Sequence, residues 1–376
     1  MAVARIRPSS DDRHTRVRHS VTTVAEADTP TTEHDDFFAE LTASLDAALS
    51  AGGTLQLTDI DQRGEGNSWE TYLVTAEWAD GNDRRTDTFA VKRQPVSGIT
   101  GDYDVVREVA LLEAAARTRM RVPAVITHRG ETHGERGFFA MEKVPGIIPM
   151  PNTVSRLIPD TAQRAELGRE VAREMARLHS VDPRTMGLSV LGEVPDGADT
   201  GRIENDKWAG AYREVADIPI PVLDLAFAWL DHQSDVVSGR VSLVHNDFRV
   251  GNLVVQDGTI SGVLDWETAH FSDPTADIAW FAQRTSRGRS PLLCKLIELE
   301  PFLDEYERAG GWRPSPETLT WWSVQSLVKT AVGCLQAVDV YQRGDRDELR
   351  YSNMAHSVYY SIGWLTKMLR DGEWGN

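Results

Sequence analysis

The chain has 376 residues, two cysteines and a formal net charge of −17, with 57 Asp and Glu against 40 Lys and Arg. A chain this long can bury a large core and divides naturally into two lobes, on a prior of about 150 residues per domain. The acidic balance offers no sequence-wide field for nucleic acid or an anionic membrane. The two cysteines, the lack of a secretory h-region and the lack of an apolar run approaching the ~18 residues of a membrane span predict a soluble chain in a reducing cytoplasm. Neither nucleic acid nor membrane is expected as a partner, and the oligomeric state is left open.

Residues 1–34 are polar, rich in Arg, Ser, Thr and Asp, and without sustained periodicity, which predicts a disordered tail. Phe37, Phe38, Leu41, Leu45 and Leu49 then recur at helical spacing, with Gly52 and Gly53 as a stop. From Leu55 to Val144 the pattern is strand-like, and "TYLVTAEWA" and "TDTFAVKRQ" flank a turn-forming Asp80-Gly81-Asn82-Asp83, which predicts a hairpin. Gly64, Gly66, Asn67 and Ser68 lie between two candidate strands, where a tight loop can aim backbone N–H groups at phosphate oxygens. Lys92, in the apolar strand "FAVKR", needs a partner or an anion to offset desolvation. Glu108, on the helix "DYDVVREVALLEAAARTR", is the expected partner and Glu113 the alternative; Val105, Val109, Leu112 and Ala116 mark that helix's apolar face, with Glu108 off it. "FFAMEKVPG" reads as the last strand, and Met141, Glu142 and Val144 fall where a connecting segment can offer backbone groups to adenine. Residues 35–145 are therefore expected to form a nucleotide-binding lobe.

Residues 146–376 read as a mostly helical lobe for catalysis and substrate binding. Leu167, Val171, Met175 and Leu178 form one helical stripe, and "LTWWSVQSLVKTAVGCLQAVDVY" forms another. A short strand at Val241–Val244 precedes "HNDFRVGN", and the strands "NLVV" and "ISGVLDW" flank the turn Asp257-Gly258. Asp247 and Asn252 thus share a loop, with Asp265 at a strand end. The Asn amide oxygen and Asp265 suit Mg²⁺, whereas no Cys and His cluster suits zinc, and Asp247 remains for a substrate hydroxyl. His245 is expected to organise the loop, not to act as the base. Asp273-Pro274 has N-cap chemistry for the helix "PTADIAWFAQR", in which Asp277 is expected to bond catalytic-loop backbone. Arg249, Trp208, Tyr212, Trp321 and Trp322 could line an acceptor site, although core packing is the default for most Trp.

With these residues in place, "HNDFRVGNLVV" and "VLDWETAHFSDPTADIAWF" resemble the aminoglycoside phosphotransferase family, a branch of the protein-kinase-like fold, over about residues 55–370. The pattern D-F-R-x-x-N-L-V with L-D-W-E looks closest to the branch that includes kinase domains linked to acyl-CoA dehydrogenases, which phosphorylate hydroxyacyl chains. The resemblance implies an α+β, two-lobed fold: a small antiparallel β lobe with one packed helix, and a larger, mostly helical lobe. It also implies ATP and Mg²⁺ as cofactors, Asp247 as catalytic base, Asn252 and Asp265 as magnesium ligands, Lys92 as phosphate clamp and Glu108 as its partner. Asn246 stands where that family usually has Gly, so the loop's backbone geometry is the feature to check. The expected activity is transfer of the ATP γ-phosphate to a small-molecule hydroxyl, on a hydroxyacyl or hydroxyacyl-CoA compound or on an aminoglycoside. The alternative from another class is a non-catalytic nucleotide-binding scaffold. A protein kinase fits poorly, because the interval from Asp265 to Asp277 leaves little room for an activation loop and contains no A-P-E signature.

Overall fold

The computed structural model describes residues 31–63, 69–96, 103–131, 135–345 and 348–371, and the chain divides into two units after Leu41. Helix α1 (Thr31–Leu49) begins in the first unit and ends in the second. Its start lies within the segment expected to be a tail, whose residues 1–30 are outside the described residues. Its end matches the expected stop: Ser50, Gly52 and Gly53 all have positive φ, at 53°, 62° and 82°, and helical backbone cannot continue through them.

In the second unit, a five-stranded antiparallel sheet is built from β1 (Gln56–Arg63), β2 (Glu70–Asp80), β3 (Asp83–Arg93), β4 (Val125–Arg129) and β5 (Phe138–Glu142), in the order β1-β2-β3-β5-β4. The β2–β3 hairpin pairs Asp80 with Asp83 around Gly81, whose φ of 63° is of the kind a two-residue hairpin turn requires. Along β3, Phe89, Val91 and Arg93 are buried, while Lys92 falls on the opposite face by the period-two alternation of a strand. Helix α2 (Val105–Arg117) packs against β4 and β5. Its N-cap Asp104 accepts hydrogen bonds from the amides of Val106 and Arg107 at 2.8 and 3.3 Å. The apolar face differs in detail from the sequence expectation. Ala116 is exposed and Glu108 lies inside the buried face, because Lys92 provides an opposite charge there.

The remaining helices are α3 (Val154–Leu157), α4 (Thr161–His179), α5 (Thr200–Val215), α6 (Pro221–His232), α7 (Thr275–Ala282), α8 (Arg284–Arg287), α9 (Leu299–Arg308), α10 (Pro316–Gln342), α11 (Leu349–Asn353) and α12 (Ala355–Asp371). Two small antiparallel sheets stand among them: β6 (Ser242–Val244) with β9 (His270–Ser272), and β7 (Leu253–Gln256) with β8 (Thr259–Val263). Helix α10 starts on Pro316 with Ser315 Oγ accepting from the Thr318 amide at 3.1 Å, and it packs against α5, α6, α7, α11 and α12. That position explains why it is apolar around most of its circumference. No helix among the described residues is long and apolar enough to cross a membrane.

The sheet portion is fastened to the helical portion at both edges of the chain crossing. Arg107 of α2 donates to the Glu267 and Ala269 carbonyls at 2.8 and 2.5 Å, and the Ile147 and Val255 backbones exchange hydrogen bonds of 2.9 and 2.8 Å. Gly146 makes the second junction possible: its φ is 133°, and a Cβ there would lie 2.5 Å from the Val255 carbonyl oxygen.

Candidate active site

The loop after β6 is held by one buried carboxylate. Asp277, on the first turn of α7 and fully buried, accepts from the His245 amide at 2.8 Å and from the Asn246 amide at 2.6 Å. Its second contact at Oδ2 is His179 Nε2 of α4 at 3.1 Å, and His179 Nδ1 meets the Tyr306 hydroxyl at 2.8 Å. Burial alone would raise the Asp277 pKa, but the hydrogen bond and charge of His179 together with the loop amides hold it below the usual carboxylate range. Asp273 accepts from the Thr275 amide at 2.8 Å, which is capping chemistry, and also from the Ser238 amide at 2.7 Å.

Within the loop, His245 is fully buried, with Nδ1 accepting from the Asp247 amide at 3.2 Å and Nε2 facing the Leu264 carbonyl at 2.8 Å. This bonding pattern assigns the ring proton to Nε2. Asn246 has a φ of 62°, in the left-handed region, which Asn tolerates better than most residues. The Asn in place of the expected Gly therefore leaves the loop geometry attainable.

Asp247 receives three side-chain donors. Trp280 Nε1 donates to Oδ1 at 2.7 Å, Asn252 Nδ2 to Oδ2 at 2.6 Å, and Arg249 Nε to both oxygens at 3.1 and 3.2 Å. Asn252 Nδ2 also donates to the Asp247 carbonyl at 2.9 Å, so the side chain closes the loop on itself. Its Oδ1 accepts no hydrogen bond among the described residues. The Asn252 carbonyl accepts from the Leu264 amide at 2.8 Å, which brings the end of β8, and with it Asp265, beside the loop. Asp265 has a φ of 70°, so two left-handed residues bracket the site.

Lys92 spans the gap from the sheet. Its ammonium lies 3.0 Å from Asp265 Oδ1 and 3.6 Å from Glu108 Oε1, and Glu113 on the same helix is exposed and takes no part. Burial acts to lower the Lys92 pKa, but Asp265 and Glu108 outweigh it and raise the value. For Asp265, burial acts upward and the adjacent Lys92 downward, with a lowered net value; for Glu108 burial dominates and the value rises.

Other candidate residues are less closely tied to this cluster. Met141 is buried in register with Ala90 and Val125; the Glu142 amide donates to the Ala124 carbonyl at 2.8 Å; the Val144 amide has no hydrogen-bond partner among the described residues. Gly64, Gly66, Asn67 and Ser68 fall outside the described residues. A cavity of about 750 Å³ opens beside Asp247, lined also by Trp280, Trp208, Lys207, His270 and Lys329. Arg249 is not on its wall. Of the four aromatics named from sequence only Trp208 lines it: Tyr212, Trp321 and Trp322 are buried in the core, with Trp321 Nε1 donating to the Leu230 carbonyl at 3.0 Å.

Sequence reasoning missed Trp280, His179 and Lys329. Trp280 had a legible signal, since it follows Asp277 by one helical turn and so shares its face. Lys329 did as well, as a lone cation in the apolar run "SVQSLVKTAVGCL".

The profile of the phosphotransferase enzyme family matches residues 59–322, more than half of the chain. The chain belongs to this family. Among curated relatives, acyl-CoA dehydrogenase family member 10 of Mus musculus is 28% identical over 234 residues, covering 61% of this chain and 20% of the relative. Acyl-CoA dehydrogenase family member 11 of Rattus norvegicus is 30% identical over 219 residues, covering 54% of this chain and 27% of the relative. The chain thus spans only about a fifth to a quarter of the length of these relatives. Among solved structures, a thermostable mutant of aminoglycoside phosphotransferase APH(4)-Ia in ternary complex with ADP and hygromycin B is 16% identical, with a TM-score of 0.60 over 90% of this chain and 98% of that one. The macrolide 2'-phosphotransferase MphH of Brachybacterium faecium is 20% identical, with a TM-score of 0.53 over 86% of this chain and 98% of that one. At these identities the likeness shows the fold, which is α+β, two-lobed and protein-kinase-like.

Proposed function

We propose that this member of the phosphotransferase family is a small-molecule kinase that transfers the γ-phosphate of ATP to a substrate hydroxyl. One observation carries the reading: two runs of contacts, Glu108 through Lys92 to Asp265 and Asn252 to Asp247, are brought side by side by the Leu264 amide bonded to the Asn252 carbonyl, and Asp247 opens onto the cavity. Phosphoryl transfer asks the protein chiefly for positioning and charge stabilisation. Lys92, held by Glu108, is placed to neutralise nucleotide phosphates, and Asp247 to accept a hydrogen bond from the acceptor hydroxyl and receive its proton. Trp280, Arg249 and Asn252 fix the direction in which that carboxylate points. His245 and Asp277 keep the loop in register, and the backbone near Met141, Glu142 and Val144 is the candidate adenine contact.

Asn252 Oδ1, without a donor among the described residues, and the Asp265 carboxylate are hard oxygen ligands that fit Mg²⁺. When bound there the ion would neutralise charge on the phosphate oxygens. The nucleotide-bound structural relative supports ATP as donor, and the acyl-CoA dehydrogenase family relatives support a hydroxyacyl or hydroxyacyl-CoA acceptor. The aminoglycoside alternative is supported by the fold relative that holds hygromycin B.

Calorimetric titration with Mg·ATP, followed by an ADP-release screen over hydroxy acids, their CoA thioesters and aminoglycosides, tests the reading. ADP release dependent on one acceptor class supports it; tight nucleotide binding with no turnover over the whole panel would make the chain a nucleotide-binding scaffold.

A further inference from the structure

One buried charge in the cavity wall has no part in the reading above. Lys329, on α10, is 7% exposed, and its ammonium lies 3.8 Å from the centroid of the Trp280 ring and donates to the Asn246 carbonyl. It makes no salt bridge among the described residues, although a buried ammonium is costly unless an anion meets it. The two nearest acids are already engaged. Asp247 holds Trp280, Arg249 and Asn252, while Glu204 is bonded to His270, to Trp208 Nε1 at 3.2 Å and to Gln325 Nε2 at 3.4 Å. Burial outweighs the attraction of both acids and pushes the Lys329 pKa down to about 8. Lys207 stands on the same cavity, whose remaining lining includes the apolar Ala211, Ala337 and Met354.

We propose that Lys329 binds an anionic oxygen group of the acceptor, a carboxylate or a phosphate, while the acceptor's hydroxyl is held at Asp247. This deepens and rests on the kinase reading of the site: the acceptor is an acidic alcohol, with its carbon skeleton against Ala211, Ala337 and Met354. The cavity lining also carries Asp104 and Glu267, so the discrimination is local: an ammonium group placed at Lys329 and Lys207 would meet like charge. A purely structural Lys329, stapling the Asn246 carbonyl, would hold the loop in shape without caring whether the acceptor is charged.

Calorimetry separates these roles without requiring turnover. The probes are hydroxybutyrate, hydroxyhexanoate and hydroxydecanoate, each against its primary amide, and glycerol phosphate against glycerol. At least one anion is expected to bind, with its neutral counterpart weaker by about tenfold to a hundredfold, the range for a hydrogen bond to a charged group. Lys329→Met should erase that difference and Lys329→Arg should keep most of it, with Lys329→Gln as a second neutral variant if the Met form does not fold. Which pair shows the difference identifies carboxylate or phosphate. Equal binding of anion and neutral counterpart, no binding by any anion, or a preference that survives Lys329→Met overturns the proposal. An anion preference without ADP release on any acceptor removes the kinase reading and leaves this site standing; ADP release confined to neutral or cationic acceptors does the reverse.

Discussion

Asp247 is gripped from three directions, and the three grips can be loosened separately. Asp247→Asn keeps the shape but removes the charge that accepts a hydroxyl proton, and its amide nitrogen can no longer accept from Trp280 or Asn252. Turnover in an ADP-release assay is expected to fall by about 10² to 10⁴, the usual worth of a general base. Trp280→Phe is the subtler variant. It retains an aromatic ring over which Lys329 can sit but loses the N–H that meets Oδ1 at 2.7 Å. A hydrogen bond to a charged group is worth about 1.5 to 3 kcal/mol, so turnover should drop roughly tenfold to a hundredfold. The affinity for Mg·ATP should hold, because the Trp280 side chain makes no hydrogen bond to Lys92, Asn252 or Asp265 among the described residues. Equal activity of Trp280→Phe and the parent would mean that Arg249 and Asn252 suffice to aim the carboxylate.

At the scale of elements, α7 matters more for what its first turn holds than for its length. Asp277 anchors two buried amides of the loop, those of His245 and the left-handed Asn246, and joins α4 to that loop through His179. Asp277→Ala leaves both amides and the Nε2 of His179 without a partner in the interior. Breaking such a buried network costs about 3 to 5 kcal/mol, to be read as a lower urea midpoint with unchanged slope. A loss below 1 kcal/mol would show that water replaces the carboxylate. The elements themselves were largely legible in the chain. Alternating burial in "TFAVKR" and the Asp80-Gly81-Asn82-Asp83 turn gave away the hairpin, and the Leu167, Val171, Met175, Leu178 stripe gave away α4, because local periodicity encodes which face is buried. Short β4 and β9 went unread, since three to five residues hold too few alternations and their pairing depends on distant partners. The site followed the same rule. That Asp247, Asn252, Asp265 and Lys92 lie together was legible because the chemistry expected of them constrains their spacing. His179 and Glu204 were not, because their partners Asp277 and His270 lie 98 and 66 residues away. Arg249 was misplaced for the opposite reason, its side chain turning back on the residue two before it.

For the molecule as a whole, the buried charges predict how stability follows pH. Burial acts to raise the Glu204 pKa, but His270 and the nearby lysines lower it to about 2. Its unfolded value is about 4.3, so the unfolded chain binds the extra proton between the two. The stabilisation is therefore fully present above about pH 4.3 and is lost as pH falls toward 2. Asp277 and Asp265, also lowered, act in the same direction, whereas Glu108 and Glu174, raised by burial, act against it. Urea unfolding followed from pH 6 to pH 3 should show a steep loss, shallower in Glu204→Gln. Lys329 has the opposite sign. Its folded value of about 8 lies below the unfolded value of about 10.4, so its cost is fully present below pH 8 and is relieved as pH rises toward 10. Lys329→Met should consequently be more stable than the parent at pH 7, by about 1 to 3 kcal/mol, with the gap closing near pH 10. That outcome would mean that Lys329 is retained for something other than stability.

The two cysteine thiols give this cavity a built-in reporter. Cys334 lies on its wall and is only half-buried, whereas Cys294 is fully buried with its Sγ donating to the Phe281 carbonyl; burial raises both thiols, that of Cys294 up to about 12. A small alkylating probe that enters from solvent should therefore tag one position of the folded chain, and mass spectrometry would find it on the tryptic peptide that carries Cys334. The tagging rate then gauges occupancy. Any compound that shields this sulfur from the probe occupies the cavity that Asp247 also lines, whether or not a phosphate ever moves, so candidate acceptors can be sorted before an assay for turnover exists.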